Sequence, residues 1–270
     1  MKRLAFAAVL VASQFACGAP ARADGPAATF FSVDRAYFSS SSYLDRNGRM
    51  QPSSCTFVKN STSLYAEHRM GSRDLWFADT SYDADSCGAA STRGLNDIEA
   101  GVQHGIGRTN PTLWNVRAAL IVPGAYDVGA NPNIGLGRPG ATLGLAYLSN
   151  FRAGHDHYGY VTGGAGVRAY TSYPAPQLLT NFTLGYHATP GILLFESYYG
   201  TTHLGAGSQL HNVGLNPTIS SSYDSYQLGS NAVFDLTGSV ALHLAVWNLL
   251  GGENYGTGDQ IYAGLWVHLK

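Results

Sequence analysis

The chain has 270 residues, and only 12% of them are charged, about half the share in an ordinary globular domain. Glycine (33 residues) and tyrosine (17 residues) are abundant, and the formal net charge is −1. This balance, without clustered lysine and arginine, excludes the basic surface that nucleic-acid binding needs. A chain so poor in charge needs a large two-sided core, or a solvent other than water on one side.

The first residues predict export. The basic pair Lys2-Arg3 precedes a mostly apolar run over 4–16, and Ala21-Arg22-Ala23 places small residues where a signal peptidase reads. The apolar run is too short to span a bilayer as a helix. We therefore interpret residues 1–23 as a secretory signal peptide and residues 24–270 as one exported domain.

The mature chain alternates between apolar and polar residues with a period of two. Around residue 118, one face of an extended segment is apolar (Trp114, Val116, Ala118, Leu120, Val122) and the other carries Asn115, Arg117 and Ala119. Alternation over about ten residues is typical of a transmembrane barrel strand. Twelve segments show it: 28–38, 57–70, 74–83, 94–106, 112–122, 141–149, 158–171, 178–188, 191–202, 223–236, 239–249 and 260–269.

The connectors between these segments alternate in length, as they do between the two ends of a bacterial barrel. Short connectors include 71–73 and 189–190, whereas long ones include 123–140 and 203–222. We predict an all-β fold: an antiparallel transmembrane β-barrel of about twelve strands, in the cell outer membrane, with both termini in the periplasm and loops over the outer mouth. A soluble β-sandwich is the alternative, but its outward faces would carry more charge.

Three cysteines are present. Cys55 and Cys87 remain after export and predict a disulfide that ties the first two outer loops together. Two unrelated thiols are the alternative. Cys17 leaves open a lipid-modified N-terminus, although the residue three positions before it is not leucine-like.

Charged residues collect on the faces that the alternation directs into the barrel. A small lumen holds such groups close together, so we expect them to form pairs. They either line a selective pore or fill the interior as a structural plug, and the sequence leaves both open. The candidates are Lys59, Tyr65, Glu67, Arg69, Asp97, Glu99, Arg117, Arg168 and Glu196.

Aromatic residues are also directed inward by the same count: Tyr160, Tyr170, Tyr198, Trp247, Tyr262 and Trp266. They offer ring faces on which an aromatic or sugar ligand would stack. Interior packing, or the aromatic girdles at the two membrane interfaces, is the favoured explanation.

No catalytic motif stands out. His203, Ser208 and His211 share one outer loop, but Gly-x-Ser-x-Gly is absent. His155-Asp156-His157 falls in an inner turn and lacks a third ligand nearby in sequence. We expect no catalytic, metal or cofactor site. A membrane-embedded lipid hydrolase and a non-transporting surface barrel that acts through its outer loops are kept as alternatives.

Several stretches resemble a family of outer-membrane transporters linked to the meta-cleavage pathway of phenol degradation. They include Phe30-Phe31-Ser32, Tyr65-Ala66-Glu67, residues 94–101 (GLNDIEAG) and Leu120-Ile121-Val122-Pro123-Gly124. The resemblance covers roughly the first half of the mature chain. It implies passive, channel-like passage of small hydrophobic or aromatic solutes. We expect a monomer whose partners are membrane lipid, the barrel-assembly machinery and the solute.

Overall fold

The computed structural model describes residues 29–109, 112–152, 158–171, 175–205, 215–218 and 222–269. These residues contain no helix with the length and apolar character needed to cross a lipid bilayer. Their regular structure consists of strands: β1 (Thr29–Leu44), β2 (Met50–Arg69), β3 (Asp74–Cys87), β4 (Ala90–Leu95), β5 (Ile98–Thr109), β6 (Thr112–Val122), β7 (Gly140–Arg152), β8 (Tyr158–Tyr170), β9 (Gln177–Thr189), β10 (Ile192–His203), β11 (Asp224–Asp235), β12 (Val240–Glu253), β13 (Tyr255–Gly256) and β14 (Asp259–Leu269).

The sheet closes on itself as an antiparallel barrel. Apart from the short strands β4 and β13, each strand pairs with the next along the chain, and β1 pairs with β14 from Thr29↔Leu269 to Phe38↔Gln260. Twelve strands form the wall, because β4 pairs only with β3 in line with β5, and β13 pairs only with the end of β1. This confirms the predicted twelve-stranded fold. The predicted signal peptide and Cys17 lie outside the described residues.

The outward faces form an apolar band. Large apolar side chains such as Val33, Leu120 and Leu143 are 44%, 66% and 61% exposed, which would be costly in water. On the alternate positions, the inward side chains are mostly polar or small. Such an inside-out pattern is stable only when lipid surrounds the barrel, because the closed sheet leaves few backbone groups unpaired.

The two ends of the barrel differ. Long connectors at residues 123–139 and 204–223 lie at one end, named here the long-loop end, and short turns such as 190–191 and 236–239 lie at the other, the short-turn end. At the long-loop end, residues 39–56 and 84–93, which fall between the segments predicted as strands, are themselves largely strand. These Ser-rich stretches carry no apolar alternation, so alternation alone did not predict them as strands.

Cys55 and Cys87 form the predicted disulfide, with their Cα atoms 5.5 Å apart. The bond joins the extensions of β2 and β3, where Phe57 is paired with Cys87, instead of joining two irregular loops. Phe38, Phe57 and Cys87 form a buried apolar cluster beside it, with Leu215 packed against them. The disulfide therefore stabilises a sheet extension above the apolar band.

Replacing both Cys55 and Cys87 with serine should leave the barrel folded and weaken only this extension. A disulfide commonly contributes about 2–4 kcal/mol, and here its strands are also paired by backbone hydrogen bonds. We expect faster protease cleavage near residues 45–56 and a lower Tm, measured by limited proteolysis and thermal unfolding in detergent. An unchanged cleavage pattern, or loss of the heat-modifiable barrel band on a gel, would contradict this assignment.

Candidate functional site: the barrel lumen

The lumen is lined by the inward positions of all twelve strands. Most of the sequence-predicted candidates lie there. Buried on the inner face are Lys59, Tyr65, Glu67, Glu99, Arg117, Arg168 and Trp247. Trp266 is partly buried on the same face, and Arg69 is partly exposed at the short-turn end, near enough to Glu67 to interact electrostatically.

Lys59 is the centre of a hydrogen-bonded network near the long-loop end. Its Nζ lies 2.7 Å from Asp83 Oδ2, and both side chains are almost fully buried. Ser61 Oγ donates to Asp83 Oδ1 (2.5 Å), and Asn96 Nδ2 donates to Asp83 Oδ2 (2.8 Å). Asp85 is a second buried carboxylate close to Lys59. The single ammonium group thus compensates two carboxylates on the neighbouring strand.

Two segments of the long connectors descend onto this network. Asn216 is fully buried, and its Nδ2 donates to Asp85 Oδ2 (2.9 Å) and to the Asn133 carbonyl (2.6 Å). Ile134, from the connector between β6 and β7, is also fully buried. The backbone N–H of Leu215 donates to Asn131 Oδ1 (3.1 Å), which joins the two segments. Together they cover the lumen beneath the long-loop end.

Asp97 has a different environment from the one predicted for it. It lies at the break between β4 and β5, and its Oδ1 accepts hydrogen bonds from the Tyr126 hydroxyl and the Gly124 N–H. Burial and the neighbouring carboxylate raise the pKa of the Tyr126 hydroxyl, so Tyr126 stays protonated and donates. Asp97 therefore anchors the base of the connector over the lumen. The break at Asn96–Asp97 makes room for this contact.

A second ion pair crosses the lumen. Arg168 on β8 donates to Glu99 Oε2 on β5 at 2.9 Å, and both side chains are about 3% exposed. Arg117 on β6 is buried with its guanidinium 3.4 Å from the centre of the Phe77 ring. Planar, weakly hydrated guanidinium groups tolerate such stacking and burial better than an ammonium does. The charged residues thus concentrate on the side formed by β2 to β8.

Aromatic residues from the strands around the closure of the barrel pack beside this charged side, because Phe30 and Trp266 share one cluster with Tyr65 and Phe77. Trp266 on β14 contacts Phe30 edge-on, with ring centroids 5.5 Å apart, and Phe195 on β10, at 6.1 Å. His243 lies between them, with its ring 4.9 Å from that of Trp266 and its Nδ1 2.7 Å from Asp34 Oδ1. The four rings, of Phe30, Phe195, His243 and Trp266, are named here the aromatic wall and come from β1, β10, β12 and β14.

Two further rings lie flat along the inner wall over glycines of the adjacent strand. A Cβ placed on Gly229 would come within 2.2 Å of the Trp247 ring, and one on Gly185 within 2.1 Å of the Tyr160 ring. Each ring faces its glycine directly across the strand pair. Glycine is needed at these positions because any side chain would displace the ring.

The structure contradicts the inward assignment of Glu196 and Tyr198. Both residues pair with outward-facing residues of β11. Glu196 is exposed and accepts a hydrogen bond from Ser230 Oγ at 2.9 Å. Leu193, Ser197 and Tyr199 point inward instead. The apolar run over 192–195 has no polar alternation, so the sequence did not fix which face of β10 is buried.

Several lumen residues were missed by the sequence reading. Asp83 and Asp85 alternate with Asp79 along β3, a pattern that predicts one shared face, but the expected strand ended at residue 83. Asp34 and His243 are 209 positions apart and pair only because the barrel closes. Asn216 reaches the lumen from a loop, for which alternation gives no signal.

Of the residues considered for the alternative lipid hydrolase, only His203 is described, and Ser208 and His211 lie outside the described residues, as does His155-Asp156-His157. His203 Nδ1 lies 2.6 Å from Asp224 Oδ1 at the long-loop end.

The closed barrel with an apolar outer band defines the class: an outer-membrane β-barrel. No family model and no curated protein matches the sequence. Among solved structures, the fold is similar to the COG4313 outer membrane channel from Pseudomonas putida F1, with TM-score 0.69 and 16% identity over 92% of this chain and 97% of that one. It is also similar to the KdgM porin, solved in complex with disordered oligogalacturonate, with TM-score 0.51 and 7% identity over 87% of this chain and 98% of that one.

Replacing Lys59 with methionine should destabilise the barrel by about 3–5 kcal/mol, because two buried carboxylates would lose their cation. Urea unfolding in detergent, followed by tryptophan fluorescence, measures the change. Adding Asp83→Asn and Asp85→Asn to the same chain should recover much of the loss. Arg46→Met, at an exposed turn residue of the same end, serves as control and should change stability by less than about 0.5 kcal/mol.

Proposed function

We propose that the chain is an outer-membrane channel for passive passage of small solutes, preferentially hydrophobic or aromatic ones. The observation that carries this proposal is a lumen that combines buried ion pairs with aromatic rings. Ion pairs and polar groups on β2 to β8 adjoin the aromatic wall, whose Phe30 and Trp266 pack against Tyr65 and Phe77. A flat solute with one polar group, such as a phenol, would find ring faces and hydrogen-bonding partners close together.

The names of the similar structures support a channel, since one is described as an outer membrane channel and the other as a porin. Their low identity leaves the solute to be argued from this chain's own residues. The resemblance to transporters linked to phenol degradation points to the same solute class as the aromatic wall.

Passage requires the covering segments to move. Asn216 is held by one hydrogen bond to Asp85 and one to a loop carbonyl, and Leu215 packs on the cluster beside the disulfide. Residues 215–218 lie outside the strands, and they are also held by the Gly256 N–H, which donates to the Pro217 carbonyl at 2.6 Å, and by the Leu215 N–H, which donates to Asn131. We propose that the long-loop end faces outward and that its covering segments open to admit solute.

The remaining parts of the proposal follow from this role. We propose that residues 1–23 are removed on export, that the mature barrel is inserted by the assembly machinery, and that it acts as a monomer without catalysis. Phospholipid incubated with the refolded protein should then release no fatty acid. Release that is lost in a His203→Ala variant would favour the lipid hydrolase instead.

Replacing Asn216 with alanine should favour the open state. Loss of about 1 kcal/mol of hydrogen bonding corresponds to an increase of about fivefold in the ratio of open to closed time. Single-channel recording of the refolded mature chain in a planar bilayer, before and after reduction of Cys55–Cys87, measures it. Asn47→Ala, in an exposed turn at the same end, is the control. A barrel that never conducts in any of these states would argue for a filled lumen.

Replacing Trp266 with alanine should weaken block by phenol without abolishing conductance. Stacking on an aromatic face contributes about 0.5–1.5 kcal/mol, so the blocking concentration should rise by about two- to tenfold. Trp114→Ala provides the matched control, because that tryptophan is exposed on the outward face. Equal effects of the two substitutions, or none, would remove the aromatic wall from the proposed path.

A further inference from the structure

Three potential metal ligands from different strands converge at the long-loop end, away from the lumen network. His203 ends β10, Asp224 begins β11 and Glu253 ends β12. One ligand atom of each lies within 4.8 Å of those of the other two. Asp224 and Glu253 face each other directly across the β11–β12 pair.

The three side chains are partly buried, and one of them is firmly oriented. Asp224 Oδ1 accepts from the His203 backbone N–H at 2.9 Å, and Tyr226 donates to Oδ2 at 3.3 Å. The side chains of His203 and Asp224 are 26% and 13% exposed. Hydrogen bonds of this kind hold a carboxylate that binds a metal ion in one orientation.

The charge of this cluster is uncompensated. Two carboxylates directly opposite each other on paired strands repel. No ion pair joins Glu253 to any other residue that the structure describes, and the available cation is His203 only when it is protonated. A divalent cation between the three side chains would remove the repulsion.

We propose that His203, Asp224 and Glu253 form a site for a borderline divalent transition-metal ion, with Zn²⁺ as its representative. One imidazole nitrogen and two carboxylates suit such an ion, whereas Ca²⁺ and Mg²⁺ prefer oxygen ligands alone. Tetrahedral zinc places ligand atoms about 3.3–3.5 Å apart, so small side-chain rotations that lengthen the 2.6 Å contact between His203 Nδ1 and Asp224 Oδ1 would seat the ion among the three ligand atoms. Metal binding at this site is independent of the solute that passes through the lumen.

The position of the site gives it a structural consequence. His203 and Asp224 flank the connector 204–223, and residues 215–218 of that connector cover the lumen. An ion bound at the site would fasten both ends of this connector to β12. The fourth zinc position would be open to water.

The test uses the refolded mature chain, without a histidine tag and stripped of metal by a chelator. Isothermal titration with Zn²⁺ should give one tight site per chain, and Co²⁺ should produce the visible absorption of a tetrahedral nitrogen–oxygen site. His203→Ala and Glu253→Gln should each weaken Zn²⁺ binding by at least about tenfold. Zn²⁺ should also raise the Tm of the original chain but not that of either variant.

His104→Ala is the matched control. His104 and Asp74 form another His–Asp pair, with Nδ1 2.7 Å from Oδ1, but they lie exposed at the short-turn end. Among the described residues, no third His, Cys, Asp or Glu side chain converges on them. This variant should bind Zn²⁺ like the original chain. Absence of Zn²⁺ binding in the folded original chain, binding unaffected by Glu253→Gln, or an equal loss in His104→Ala would overturn the proposal. The heat-modifiable gel shift confirms that each variant has folded.

Discussion

The rest of the structure depends on the closure of the sheet through the pairing of β1 with β14. Lipid offers no hydrogen bonds, so each backbone donor and acceptor in the apolar band needs a partner from another strand. Closure pairs the backbone donors and acceptors of the two edge strands, and it separates the surrounding lipid from the lumen. Side chains at alternate positions then face either lipid or the lumen, and this division accounts for the low charge content of the chain.

Burying charge inside the lumen is tolerable because the residues compensate one another. Lys59 lies between Asp83 and Asp85, and Arg168 crosses to Glu99 from three strands away. A buried ion whose partner is removed is costly, whereas an intact network fixes neighbouring strands and connectors in one arrangement. Asn216 extends the first network to the connector over the mouth, so the same contacts that stabilise the wall also hold the cover in place.

The aromatic residues serve the barrel in two ways. Trp247 and Tyr160 lie over glycines and fill gaps in the inner wall, as cross-strand aromatic–glycine pairs do in other sheets. Phe30 and Trp266 of the aromatic wall instead pack with Tyr65, Phe77 and Ala119 in the lumen. Aromatic rings and buried ion pairs thus lie side by side, and this combination underlies the proposed preference for flat, mostly apolar solutes.

The sequence by itself determined the barrel, its strand number and most strand positions, because alternation over ten residues is a local property of each strand. It also determined the inward side of Lys59, Glu67, Glu99 and Arg117, where polar and apolar residues alternate cleanly. It failed for Glu196, because the preceding apolar run carries no alternation to count from.

Only the tertiary structure decided which residues meet. The pairing of His243 with Asp34, the contact of Asn216 with Asp85 and the convergence of His203, Asp224 and Glu253 each join residues from separate strands or loops. Such contacts depend on strand register and closure around the barrel. These are set by the sum of all strand pairings, and no single stretch of sequence encodes them.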